Sequence, residues 1–147
     1  MRTMGLDVGS KTVGVAISDE LGWTAQGVTT VRRTNLKADL AALRGLIDGA
    51  EVTRVVVGLP LHMDGSEGER AGLSRQFGAA LERATGLPIE FWDERLTTVA
   101  AERALLEGDV SRAKRRQVID QVAASLILQG WLDAQAAKRP PAVDEED

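Results

Sequence analysis

The chain has 147 residues, 44% hydrophobic and 27% charged, with a formal net charge of −4. That is the length of one domain able to bury most of its apolar side chains, and no apolar run nears the roughly 20 residues that a membrane helix needs. The absence of cysteine excludes disulfides, thiolate catalysis and cysteine-ligated zinc; with no apolar stretch ahead of Asp7 to read as a signal peptide, a cytoplasmic location is expected.

The first expected strand centres on Leu6-Asp7-Val8 and runs into the turn signal Gly9-Ser10. A second follows over residues 11–19, where Val13, Val15 and Ile17 alternate, and a third over residues 27–31. These three read as an antiparallel meander. Asn35 caps a helix whose Leu36, Leu40, Leu43 and Ile47 recur at helical spacing, with Gly49 as its stop. Residues 52–59 contain RVVVGL, a continuous apolar run of the kind buried on both faces of a sheet.

A loop over residues 62–68 turns at Asp64-Gly65. The next helix carries Leu73, Phe77, Ala80, Leu81 and Ala84 and closes at Gly86-Leu87-Pro88. Residues 89–93 form a short strand. Thr97 or Thr98 caps a helix over 99–106, which Gly108-Asp109 breaks, and the last helix spans about 116–137. Residues 1–137 thus form a single domain, and 138–147, with Pro140-Pro141 and four terminal acids, form a disordered acidic tail. The order βββαβαβαα implies an α/β fold: a mixed five-stranded sheet, three antiparallel strands and then βαβ units, with helices on both faces. It is the order of the ribonuclease H-like fold, an analogy that fixes no function.

Three carboxylates fall where apolar residues belong. Asp7 lies within the first strand, where a charge is costly unless it is paired, hydrogen-bonded by a turn or bound to a metal. Glu94, in FWDERLTT, stands at the C-terminal end of a strand, where α/β sheets collect functional groups. Alternation sends Asp93 and Glu94 to opposite faces, so only one can address a given site; a plain surface pair of Glu94 with Arg95 is the simpler alternative. Asp120 leads the stripe Ala123, Ala124, Ile127 and Trp131 and so faces the sheet, although a helix N-terminus would also favour a carboxylate there. Gathered in one interior, three carboxylates need a counter-charge. Hard oxygen ligands suit Mg²⁺ or Mn²⁺, and such a cluster suits two-metal phosphodiester chemistry.

The net charge does not exclude a polyanion. Without the last four residues the body holds 18 acidic and 18 basic residues, and Arg112, Lys114, Arg115 and Arg116 fall within five positions. That run is equally the solvated start of a helix.

Four blocks then resemble the YqgF/RuvX family of bacterial Holliday junction resolvases or pre-16S rRNA nucleases: GLDVGSKTVGVAISD, VVVGLPLHMDGSEG, FWDERLTT and KRRQVIDQVAASLILQGWLD. They span Gly5 to Asp133, and the DERLTT and IDQVAASLILQ blocks are the specific ones. The resemblance implies a ribonuclease H-like fold related to RuvC, with Asp7, Glu94 and Asp120 as its acidic site. It places residues 58–65 near that site, where His62 replaces a more usual Asn and is open either to proton transfer or to neutral variation.

Hydrolysis of a nucleic-acid backbone is the main expectation, in 5′-end maturation of pre-16S rRNA or in cutting four-way DNA junctions. Lys11, Arg95, Arg112, Lys114, Arg115 and Arg116 are the expected phosphate contacts. With five aromatics and no tyrosine, recognition should rest on shape and backbone charge. A junction resolvase requires two active sites and hence a homodimer; rRNA trimming is open to a monomer. Asp7-Val8-Gly9 also fits the phosphate turn of actin-type ATPases and sugar kinases, but 147 residues leave no room for their second domain. A nucleic-acid-binding module without catalysis would not need the three acids.

Overall fold

The structure is a computed structural model that describes residues 1–96 and 112–138, with side chains through 96 and from 119 onward. The expected helix over 99–106, its Thr97 or Thr98 cap, the Gly108-Asp109 break and residues 139–147 of the expected tail lie outside the described residues. Lys138, assigned to that tail, is instead the last residue of the final helix.

Five strands form one sheet in the order β3-β2-β1-β4-β5. Strand β1 (Arg2–Val8) pairs antiparallel with β2 (Thr12–Ser18), which pairs antiparallel with β3 (Ala25–Arg32). Helix α1 (Leu36–Ala50) returns the chain so that β4 (Val52–Leu59) runs parallel to β1; α2 (Glu69–Thr85) returns it again, and β5 (Ile89–Asp93) runs parallel to β4. The meander and the two βαβ units are those expected from the order of elements. The last described helix, α3 (Arg112–Lys138), begins four residues ahead of the expected start.

Alternation along β1 decides what each face becomes. Met4, Leu6 and Val8 point one way, into a core with Val13, Val15, Val55 and Val57 that Leu43 and Ile47 of α1 and Phe77 and Leu81 of α2 cover. Gly5 and Asp7 therefore point the other way. That second face carries Ala16 and Val56 and is covered by Ala123, Ala124, Ile127, Leu128 and Trp131 of α3. A Cβ on Gly5 would lie 2.6 Å from Leu128 Cβ, so the missing side chain is what admits α3 to β1. Among the described residues no helix is long and apolar enough to cross a membrane.

Helix ends follow mostly local chemistry. The Asn35 side chain accepts from the Ala38 amide, as a cap should, and Gly86 closes α2 at φ 74°. The expected stop at Gly49 is displaced: α1 continues to Ala50, and Glu51 takes the left-handed position at φ 57°. Its amide still reaches the carbonyls of Asp48 and Ile47, which offsets part of the strain of a non-glycine residue there.

Candidate active site

Asp7 is the sixth of seven residues in β1, not its midpoint, and is 4% exposed. Parallel strands end on the same side, so the C-terminal ends of β1, β4 and β5 bring Asp7, Gly58 and Glu94 to one edge of the sheet. Asp7 pairs with Gly14 across the β1–β2 ladder. A Cβ on Gly14 would collide with the main-chain carbonyl of Asp120. Gly14 is thus a point where the α3 backbone touches the sheet, directly opposite Asp7.

Asp120 lies about two turns inside α3, beyond the first turn where the helix dipole acts, so that dipole does not account for it. Its Oδ2 accepts a hydrogen bond of 2.6 Å from Thr12 Oγ1. Thr12, Gly14 and Ala16 share the α3 side of β2, because Val13 and Val15 face α1 and α2.

Glu94 opens a short 3₁₀ turn, Glu94–Leu96, immediately after β5. Its Oε2 would lie 2.8 Å from a Cβ on Gly58, whose β4 neighbour Val56 faces α3. Asp93 goes elsewhere. Arg95 grips it through Nε at 3.1 Å and Nη2 at 2.7 Å, and reaches the Met63 carbonyl with Nη1 at 3.2 Å. The separation of Asp93 from Glu94 expected from alternation is what the structure has, and the Glu94–Arg95 surface pair gives way to Asp93–Arg95. These bonds hold the Asp93 carboxyl below the usual carboxylate range and raise the Arg95 guanidinium further. Asp64, bonded by the Ser66 hydroxyl and amide, is likewise lowered.

The three acids therefore share one face, over the bare backbone of Gly14 and Gly58. Among the described residues, no group of three His, Cys, Asp or Glu side chains is arranged to hold a metal ion as it stands. Sharing a face is thus met, while ligating distance is not.

The expected phosphate contacts divide. Lys11 is exposed in the β1–β2 turn beside Asp7. Arg95 stands near the site, but its fork is committed to Asp93. Arg112, Lys114, Arg115 and Arg116 lie in the first turns of α3, and their side chains fall outside the description. His62 is exposed, with its ring against Gly68 at the start of α2, where a Cβ would lie 2.5 Å from Nε2.

Two supporting residues escape a reading of the sequence. Thr12 resembles any β-branched strand residue. Arg33, just past β3, donates to the Gly9 carbonyl at 2.9 Å, pairs with buried Asp39 at 3.2 Å and stacks over Phe77. It braces the turn that follows Asp7 from the opposite face. The only signal for either was a polar side chain next to an acid-bearing strand.

The model of a family described as RuvX, Holliday junction resolvase, matches residues 1–134. A protein of Myxococcus xanthus named "Putative pre-16S rRNA nuclease" is 67% identical over 144 residues, covering 98% of this chain and 93% of that one. A relative of the same name in Moorella thermoacetica is 64% identical over 133 residues, covering 90% and 95%. Among solved structures, Thermus thermophilus RuvC in complex with a Holliday junction substrate superposes with a TM-score of 0.58 at 14% identity, over 94% of this chain and 97% of that one. Fowlpox virus resolvase does so with a TM-score of 0.52 at 9% identity, over 92% and 99%. At such identities the likeness establishes the ribonuclease H-like fold alone. The family match and the close relatives establish the rest: the chain belongs to the RuvX (YqgF) family.

Proposed function

We propose that this protein is a divalent-metal-dependent nuclease of the cytoplasm that hydrolyses phosphodiester bonds in 5′-end maturation of pre-16S rRNA. The observation that carries the reading is the placement of Asp7, Glu94 and Asp120 on one sheet face, where Gly14 lets the α3 backbone, and Gly58 the Glu94 carboxylate, come against the sheet. The names of relatives at 64% and 67% identity support RNA as the substrate.

The donor set fits Mg²⁺ or Mn²⁺: three carboxylates, all hard oxygen, with the single His of the chain packed on Gly68. Asp7, Glu94 and Asp120 would hold the metal, and binding would draw their side chains together. A bound pair of such ions supplies Lewis-acid stabilisation of the phosphate and lowers the pKa of a bound water. The chain contributes positioning. Strand β1 fixes Asp7, the turn after β5 fixes Glu94, and β2 fixes Asp120 through Thr12. Lys11 and the basic start of α3 attract the backbone of the substrate, whereas Arg95, gripped by Asp93, adds local positive charge more than a fork for phosphate.

The family description favours a second substrate, the four-way DNA junction. Paired cuts would then require a homodimer; the rRNA reading needs only a monomer. The deciding experiment incubates the protein with Mg²⁺ or Mn²⁺ and either labelled precursor RNA or a junction, alongside Asp7→Asn. Cleavage of the RNA, lost in Asp7→Asn with substrate binding retained, is expected. Cleavage of the junction alone would establish the second reading. If neither is cut, or if Asp7→Asn cuts normally, the nuclease reading is wrong.

A further inference from the structure

Two of the contacts between helix α3 and β2 concern Asp120. Its main-chain carbonyl rests on Gly14, and its Oδ2 accepts from the Thr12 hydroxyl at 2.6 Å. A hydroxyl-to-carboxylate bond of that length is of the strong, charge-assisted kind. Thr12 is itself well fixed. Its carbonyl accepts from the Gly9 amide at 2.8 Å, it pairs with Arg32 across the ladder, and a β-branched side chain is stiff at χ1.

We propose that Thr12 is the positioning residue of the metal site: its hydroxyl fixes the rotation of the Asp120 carboxylate and makes Oδ2 the poorer donor of the two, so that a divalent ion would be held mainly through one oxygen of Asp120. The inference rests on reading Asp120 as a ligand and adds a basis for choosing the ion. Mg²⁺ demands near-ideal octahedral geometry at about 2.0–2.1 Å, whereas Ca²⁺ accepts about six to eight oxygens and readily takes both oxygens of one carboxylate. An Asp120 limited to one oxygen favours the smaller ion. Hydrogen bonds to ligating carboxylates commonly change metal affinity by about 10- to 100-fold. A hydroxyl that merely docked α3 would change stability and leave the choice of ion alone.

The full chain, free of metal, is titrated with Mn²⁺ and separately with Ca²⁺ by calorimetry. The wild type is compared with Thr12→Val, Thr12→Ser and Asp120→Asn, and melting temperatures are recorded alongside. Thr12→Val, which keeps the shape and removes the hydroxyl, should bind Mn²⁺ about 10- to 100-fold more weakly. Its preference for Mn²⁺ over Ca²⁺ should shrink, and Thr12→Ser should restore both. If Thr12→Val does not fold, Thr12→Ala serves in its place. Unchanged Mn²⁺ affinity and ion preference in Thr12→Val, with Asp120→Asn weakened, overturns the role of Thr12 and leaves the site intact. Unchanged Mn²⁺ binding in Asp120→Asn overturns the reading of the site itself.

Discussion

The two faces of the sheet come from the same strands and are built on opposite rules. Toward α1 and α2, β1 presents Met4, Leu6 and Val8, each nearly inaccessible, against other large aliphatics. Toward α3 it presents Gly5 and Asp7, next to Gly14, Ala16 and Gly58. One face buries volume and supplies stability. The other gives up volume so that a helix backbone can come close and deliver a carboxylate. What separates the two is a single residue step along a strand, since neighbours point to opposite faces.

Substitution of adjacent residues in β1 is the sharpest way to break this contrast. Asp7→Asn should reduce cleavage on the order of 10³-fold or more, about 4 kcal/mol of barrier, and move the urea midpoint little. Leu6→Ala should do the reverse, costing about 2–5 kcal/mol of stability through a cavity on the closed face, with near-normal turnover in whatever remains folded. If Leu6→Ala proves as damaging to catalysis per folded molecule as Asp7→Asn, the two faces are not separable.

Glycines offer a smaller test. Gly14→Ala forces a methyl group into the Asp120 carbonyl, and overpacking of this kind typically costs about 1–3 kcal/mol. Gly45→Ala, in α1, meets nothing within 4 Å and should stabilise by up to about 1 kcal/mol. Thermal unfolding of the pair would show whether glycine is required on the α3 face and merely tolerated elsewhere.

The smallest effect should come from acid. Asp93 has its carboxyl lowered in the folded state, chiefly by the Arg95 hydrogen bonds. A lowered folded value means that its contribution is present above the unfolded pKa of about 4 and lost as pH falls through the folded value. Arg95 is 41% exposed, so solvent screens most of the effect. Asp93→Asn should therefore lower stability slightly at neutral pH and flatten its decline below about pH 4, as followed by urea midpoints.

The sequence disclosed what repeats locally. Alternation in β2 and helical spacing in α1 and α2 located the elements, and the order of elements predicted the sheet now seen. The inward face of Asp120 was legible from Ala123, Ala124 and Ile127, which share its stripe. Thr12 was not, because its partner lies 108 residues away and nothing local distinguishes it from any other threonine in a strand. Glu51 replaced Gly49 at the end of α1 because the carbonyls awaiting a donor belong to Ile47 and Asp48, and geometry outweighed propensity. Arg95 was expected to meet phosphate; in the structure its fork engages Asp93, a partner two residues away that the sequence reading did not weigh.

That span of 108 residues between Thr12 and Asp120 also sets an order in time. Hairpins such as β1–β2 close over a few residues, whereas closing a long loop carries an entropic cost that rises with the logarithm of its length. Long-range contacts are accordingly among the slow ones to form. The β1–β2 hairpin can exist while α3 is still a tethered segment, and in that state Asp7 and Thr12 face solvent without Asp120. Docking of α3 seals the second core and brings Asp120 to the face that carries Asp7. On the proposed reading of the three acids, the carboxylate set is therefore complete only once α3 has docked on the sheet.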